Sequence, residues 1–209
     1  LTRDAEYLEE QKPRWQPEID RILEHREADS GLFPRERYCG DIATHVYSLN
    51  SNANAWRALR DFGALLSDTV ESEQGARLTD TAAGFRTRIL AAAQESIYRE
   101  TDPPFIPIAL FGEEAPHEVL TADKAGTYWD LMAPYVIGSG IFPSGSDEQS
   151  WLIGYLQKHG GICMGMIRVR PTFEFWVDKS GVNDLYGLRY TLALLQNDDV
   201  DRALVSFYG

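Results

Sequence analysis

Apolar residues recur along this chain at the spacing of an α-helix, in seven segments separated by polar stretches. The clearest stripe lies in 76–99, where Leu78, Ala82, Phe85 and Ile89 follow one another at intervals of three or four residues. That interval places them on one face of a helix. The same pattern predicts helices over 14–27, 52–67, 126–138, 146–159 and 184–196, and a last one from about residue 198. We therefore predict an all-α fold.

Residues that begin, bend and end helices support two of these segments. Ser146 stands three residues before Gln149, which is the spacing of an N-terminal capping box, and the pair Gly160-Gly161 follows the same segment as a stop signal. Pro134 lies inside the preceding segment, and we expect it to bend that helix because proline removes a backbone hydrogen bond.

The connections between the predicted helices alternate between long and short. The long ones cover about 28–51, 100–125 and 160–183, and structureless connections of that length are uncommon and usually functional. In an array of antiparallel helical hairpins every second connection lies at the same end, so we expect the three long loops to share one face. Segments 104–111 and 163–177 within them have the composition of strands, which predicts small β-ribbons at the rim of a helical body.

Charge and composition exclude several classes of partner. The 209 residues carry a net charge of −12, which repels the phosphate backbone of nucleic acids and disfavours membrane surfaces. No apolar run approaches the roughly 18 residues that span a bilayer. The two cysteines, Cys39 and Cys163, do not imply a disulfide framework. One bridge between them stays open, although two buried structural thiols are the favoured interpretation.

Four stretches combine helical hairpins with long loops that carry aromatic and carboxylate side chains: SGLFPRERYCGD, NANAWRALRDFGALL, TYWDLMAPYVIGSG and WLIGYLQKHGGICMGM. In architecture they resemble the six-hairpin, or (α/α)6, toroids of the glycosidase type. This chain offers about three hairpins where a closed toroid has six. The resemblance therefore implies a single helical-hairpin domain over 1–209 that is a fragment of a larger toroid, completed by self-association or by the remainder of a longer chain.

The same resemblance implies a glycoside hydrolase-like function with a carbohydrate substrate and no cofactor. Cleavage of a glycosidic bond in most such enzymes needs two carboxyl groups. The candidates in the long loops and at a helix start are Glu114, Asp41, Glu113 and Asp130. Adjacent carboxylates can raise each other's pKa, which suits a general acid. We therefore assign Glu114 as the acid and Asp41 as its partner.

Each of these carboxylates also has a structural interpretation, and these alternatives stay open. Two glutamates in a loop are usually solvated. Asp41 can be an N-cap or an ion-pair partner of Arg35 or Arg37. Asp130 near the start of a helix can simply oppose the helix dipole.

Further candidates for substrate contact combine aromatic rings, a histidine and arginines. Sugars stack on aromatic faces, although core packing competes for the same rings. An arginine that alternates with apolar residues along a strand can bind an acidic sugar or merely keep a ribbon soluble. The predicted substrate-binding residues are Arg37, Tyr38, His117, Tyr128, Trp129 and Arg168.

Alternatives to a glycosidase remain. A polysaccharide lyase would use a tyrosine or histidine base with an arginine beside it, and Tyr38, His45 and Arg37 satisfy that requirement. A non-catalytic carbohydrate-binding domain, or a helical array that binds a protein through an open helical edge, would need no carboxylate pair. No spacing typical of metal ligands is present, so we expect no metal site.

Overall fold

A computed structural model describes residues 4–69, 71–169 and 181–208. It is 59% helical, which confirms a mainly helical fold. The seven helices of the described part are α1 Ala5–Glu24, α2 Leu49–Ser67, α3 Ser72–Ser96, α4 Lys124–Ser139, α5 Asp147–Lys158, α6 Asp184–Gln196 and α7 Val200–Tyr208. Its strands are β1 Glu36–Cys39, β2 Ile42–Val46, β3 Ile162–Cys163, β4 Met166–Val169 and β5 Gly181–Asn183.

Helix α1 begins well before the predicted residue 14. The side chain of Asp4 caps its N-terminus by accepting a hydrogen bond from the backbone N–H of Tyr7 at 3.0 Å. Pro13 and Pro17 both lie inside the helix rather than at its start. The apolar stripe identified only the second half of α1, because the first half is mostly polar and solvent-exposed.

The helices form three hairpins whose first members pack side by side. Helix α2 pairs with α3, α2 also packs against α4, α4 packs against α6, and α6 pairs with α7. Close approach of α2 and α3 requires glycine, because a Cβ on Gly75 would lie 2.4 Å from the backbone nitrogen of Ser67. Helix α4 is flanked on two sides, which explains why Trp129, Ala133 and Val136 are fully buried.

The prediction of a strand over 104–111 is wrong. This segment makes only single bridges, between Ser48 and Ala109 and between Tyr98 and Phe105. Pro107 lies in its middle and cannot donate to a ladder of hydrogen bonds. The apolar run is instead part of the core, with five hydrophobic side chains exposed by 1% or less: Phe105, Ile106, Ile108, Ala109 and Leu110.

The second predicted ribbon exists in part. Strands β3 and β4 form an antiparallel hairpin in which Ile162 pairs with Ile167, and β4 pairs on its other side with β5. The portion of the predicted segment from 170 to 177 lies outside the described residues. A ribbon that the sequence did not indicate occurs in the first long loop, where β1 and β2 pair antiparallel.

The three long loops meet at one end of the helices. The backbone N–H of Leu110 donates to the carbonyl of Tyr47 at 3.0 Å, which joins the second loop to the first. The N–H of Leu120 donates to the carbonyl of His159 at 2.9 Å, which joins the second to the third. We call the surface formed by 28–48, 100–123 and 159–169 the loop face. Helices α2, α4 and α6 all begin there.

Candidate functional site

Glu114 is buried at the junction of the first and second loops, with 6% of its surface exposed. Its Oε1 accepts a hydrogen bond from the hydroxyl of Tyr38 at 2.5 Å and lies 3.0 Å from Nε2 of His117. Its Oε2 accepts from the backbone N–H groups of Ile108 at 2.6 Å and Ala109 at 3.0 Å. A carboxylate has about four lone-pair positions. All four positions have a polar neighbour. This geometry suits a structural link between the two loops better than the predicted role of general acid.

Tyr38 is buried beneath the same carboxyl group. Burial, followed by the negative charge of Glu114 and the hydrogen bond to it, raises the pKa of Tyr38 well above its usual value. The hydroxyl therefore keeps its proton and donates it. Because a lyase base must give up its proton, this arrangement counts against Tyr38 in that role.

His117 connects the buried carboxyl to the surface. Its side chain is 9% exposed, with Nδ1 4.0 Å from Oδ2 of Asp123, whose side chain is 63% exposed. Its ring meets Phe105 edge-on at 5.6 Å between centroids. Asp123 was absent from the predicted residues, although its position immediately before α4 marks an N-cap. Its Oδ1 accepts from the N–H of Gly126 at 2.7 Å.

Glu113 faces the opposite way from its neighbour Glu114. It forms an ion pair with Arg35, whose guanidinium also donates to the carbonyl oxygen of His45 at 2.6 Å. The side chains of Glu113 and Arg35 are 21% and 47% exposed. The two adjacent glutamates therefore have separate partners, Arg35 for Glu113 and Tyr38 with His117 for Glu114.

Asp41 lies in the turn between β1 and β2, exposed to solvent and next to the start of α4. It accepts a hydrogen bond from the hydroxyl of Tyr128. Burial and this hydrogen bond raise the pKa of Tyr128, so the tyrosine remains the donor. The alternative ion pairs of Asp41 do not form, because Arg35 binds Glu113 and Arg37 donates to the carbonyl of Gly40 at 3.2 Å.

Asp130 is fully buried, and neither of its carboxyl oxygens has a hydrogen-bond partner among the described residues. Burial raises the pKa of Asp130 well above its usual value, against a smaller opposing effect from the charge of Arg168. The carboxyl group lies directly under the third loop, since a Cβ on Gly161 would be 2.5 Å from its Oδ1. Asp130 lies in the second turn of α4 and its buried carboxyl does more than oppose the helix dipole.

Trp129 is a core residue rather than a platform for a sugar ring. Its side chain is fully buried and its Nε1 donates to the carbonyl of Ile106 at 2.8 Å. Its ring lies 5.4 Å from Phe105 and 5.2 Å from Tyr155, between centroids. Tyr128, one residue earlier on the helix, is only partly buried and borders the loop face.

The two arginines assigned to the substrate differ in position. Arg37 is exposed on β1, and Arg168 is partly buried on β4, opposite Val182 of β5. The expectation that both cysteines are buried is wrong for Cys163, which is exposed, while Cys39 is partly buried. Both thiols are free.

Within residues 4–69, 71–169 and 181–208, no group of three histidine, cysteine, aspartate or glutamate side chains is arranged to hold a metal ion. The helices of these ranges also include none with both the length and the apolar character needed to cross a bilayer.

Comparisons with protein-family models, with curated proteins and with solved structures found no match for this chain.

Proposed function

We propose that this chain is a carbohydrate-active, glycoside hydrolase-like domain whose cleft lies on the loop face, with Asp130 and Asp41 as its carboxyl pair. The observation that carries the proposal is the contrast between two carboxyl groups held at the start of one helix. Asp130 in α4 is buried with a raised pKa, and Asp41 is exposed and bound to Tyr128, two residues before Asp130. Contrasting environments are how enzymes obtain an acid and a base from two carboxyl groups.

The order of the helices supports a partial (α/α) toroid. Helices α2, α4 and α6 pack on one another in succession, and each leads through a short turn to its hairpin partner α3, α5 or α7. This alternation matches the inner and outer helices of a toroid. The loop face then lies at the N-terminal ends of the inner helices, where the described parts of the three long loops are joined by backbone hydrogen bonds.

In this mechanism Asp130 donates its proton to the leaving oxygen of the glycosidic bond. Asp41, oriented by Tyr128, acts on the anomeric carbon as a nucleophile or activates a water molecule. Arg37 and Tyr128 are the exposed or half-exposed side chains best positioned to contact a sugar. Gly161 lies directly over Asp130, so substrate binding requires the start of the third loop to move aside.

The test is hydrolysis of a panel of aryl glycosides and polysaccharides by the wild type and by Asp130→Asn and Asp41→Asn. Loss of an acid or base typically lowers the rate by about 10²–10⁴-fold, and we expect both variants to show losses of that order. Asp130→Asn should in addition lose the limb of the pH profile that reports the acid. Glu113→Gln, which removes a carboxylate that faces Arg35, is the matched control and should stay active.

Full activity of both variants on a substrate of the wild type would refute the carboxyl pair. If the wild type neither hydrolyses any member of the panel nor binds to a glycan array, the carbohydrate class itself is wrong.

A further inference from the structure

A second surface of interest runs along α6 and α7, apart from the carboxyl groups of the loop face. Several apolar side chains of these helices are about half exposed or more, and five of them are Leu188 58%, Leu192 48%, Leu195 49%, Leu204 48% and Phe207 72%. We call them the α6–α7 apolar face. Isolated exposed leucines are ordinary, but a continuous set on paired helices indicates a binding surface.

The five side chains form one surface. Leu188 and Phe207 border a common groove of about 390 Å³ between the helices. At its floor the hydroxyl oxygens of Thr191 and Ser206 lie 2.6 Å apart and tie α6 to α7. The remaining leucines follow at helical intervals of three or four residues, which keeps them on the same side of their helices.

The opposite edge of the helical array is covered. Helix α1 lies across α2 and α3 there, with the ring of Trp15 4.8 Å from that of Phe62 and Ile19 buried. Among the described residues no helix covers α6 and α7 in the same way. In an array of repeated hairpins each unit buries its apolar face against a neighbour, so an uncovered apolar face on a hairpin is a surface on which another unit can pack.

We propose that the α6–α7 apolar face is a self-association surface on which a second copy of this chain packs across a two-fold axis. Leu188, Leu192 and Leu195 are spaced by four and then three residues, the seam that interdigitates with an identical stripe. The five side chains expose on the order of 500 Å² of apolar surface, close to the apolar share of the roughly 800 Å² that each partner gives to a standard interface.

Charge favours this face as the meeting point of two acidic chains. The net charge is −12, so two copies repel over most of their surface. Between Leu188 and Leu195 the one charged residue is Arg189, whose guanidinium lies 4.4 Å from the ring centroid of Tyr135 in the same chain. Depletion of charge at the centre of a patch is typical of interfaces. Added salt should therefore strengthen association, because it screens the repulsion and leaves apolar contacts intact.

Sedimentation velocity over a range of protein concentrations tests the proposal. We expect a monomer–dimer equilibrium for the wild type, with a lower dissociation constant at high salt than at low salt. For Leu192→Glu we expect the dissociation constant to be at least about tenfold higher. The control is Tyr7→Glu, which adds the same charge at a 58% exposed aromatic on α1 and should dimerise like the wild type. A wild type that stays monomeric at its highest soluble concentration would overturn the proposal and leave the face to a different partner. A dimer that Leu192→Glu does not weaken would also overturn it.

A cross-linking experiment tests the two-fold geometry. In a Cys163→Ser background, L192C brings two thiols together across the axis, and a short bismaleimide should link the copies. Cys163→Ser alone, which retains only the half-buried Cys39, is the control. Equal linking of the two proteins would contradict packing of α6 against α6. The apolar face shares no residue with the proposed carboxyl pair, so the outcome of this experiment and that of the hydrolysis experiment are read separately.

Discussion

Glu114 and Asp130 show, at the scale of single residues, how surroundings decide what a buried carboxyl group does. Both are almost completely removed from water. Glu114 has four polar neighbours arranged around its two oxygens, whereas Asp130 has no hydrogen-bond partner in the described part of the chain. A buried charge without partners is strongly disfavoured. Burial without partners therefore favours the protonated form of Asp130, whereas the contacts of Glu114 link two loops.

The raised pKa of Asp130 should make the free energy of unfolding depend on pH. Its pKa is raised in the folded state, so unfolding releases a proton once the pH exceeds the usual aspartate pKa of about 3.9. Within the window between that value and the folded pKa, the free energy of unfolding should fall by about 1.4 kcal/mol per pH unit because of this group. Asp130→Asn removes this contribution. Urea denaturation should therefore show that the free energy of unfolding of the variant increases relative to that of the wild type as the pH rises.

The comparison is made on the difference between the two proteins, since other groups titrate equally in both. Asp41→Asn is a suitable control, because it removes an exposed carboxyl group and leaves the buried one of Asp130 in place. A difference between wild type and Asp130→Asn that does not change from pH 5 to pH 8 would contradict a protonated Asp130.

At the scale of elements, Glu114 links the ribbon of β1 and β2 to the second loop through hydrogen bonds to Tyr38, Ile108 and Ala109. Glu114→Gln replaces an acceptor oxygen with an NH₂ group, which must then face either the two backbone N–H donors or the hydroxyl of Tyr38. Hydrogen bonds to charged groups contribute about 1.5–3 kcal/mol each. We expect the variant to lose about 2–3 kcal/mol in urea denaturation. The neighbouring Glu113→Gln, which breaks a partly exposed ion pair with Arg35, should lose less than about 1 kcal/mol.

If Glu114→Gln is instead as stable as the wild type but inactive on a true substrate, Glu114 is catalytic, as the sequence first suggested. A double-mutant cycle with Tyr38→Phe measures the direct coupling. A coupling energy near zero would mean that the hydrogen bond between Tyr38 and Glu114 does not fasten the two loops.

The elements themselves show which features a sequence pattern can predict. Periodicity predicted α6 over its observed range, because apolar positions dominate that helix. It missed the start of α1, which depends on the cap by Asp4, and it took the proline-containing core segment 104–111 for a strand. The alternation of loop lengths predicted the loop face. The contacts within that face could not be predicted from the sequence. The partners of Glu113 and Glu114, Arg35 and Tyr38, lie more than 70 residues earlier in the chain.

At the scale of the whole array, the described residues form one covered side, a buried middle and one side with an exposed apolar face. Helix α1 closes one side through Trp15 and Phe62, and α4 is enclosed between α2 and α6. Helices α6 and α7 present their apolar face at the other side. Stability against local opening follows buried contact, so we expect it to vary along the array rather than to be uniform.

Amide hydrogen exchange followed by mass spectrometry should resolve this gradient. At low protein concentration α4 should exchange most slowly, because Trp129, Ala133 and Val136 are fully buried, and α7 should exchange faster than α4. Raising the concentration should slow exchange in α6 and α7, where a second copy covers the apolar face, and leave α1 unchanged as the internal control. Leu192→Glu should abolish the concentration dependence without altering the protection of α4. Exchange in α4 as fast as in α7 would mean that the hairpins do not pack in the order α2, α4, α6.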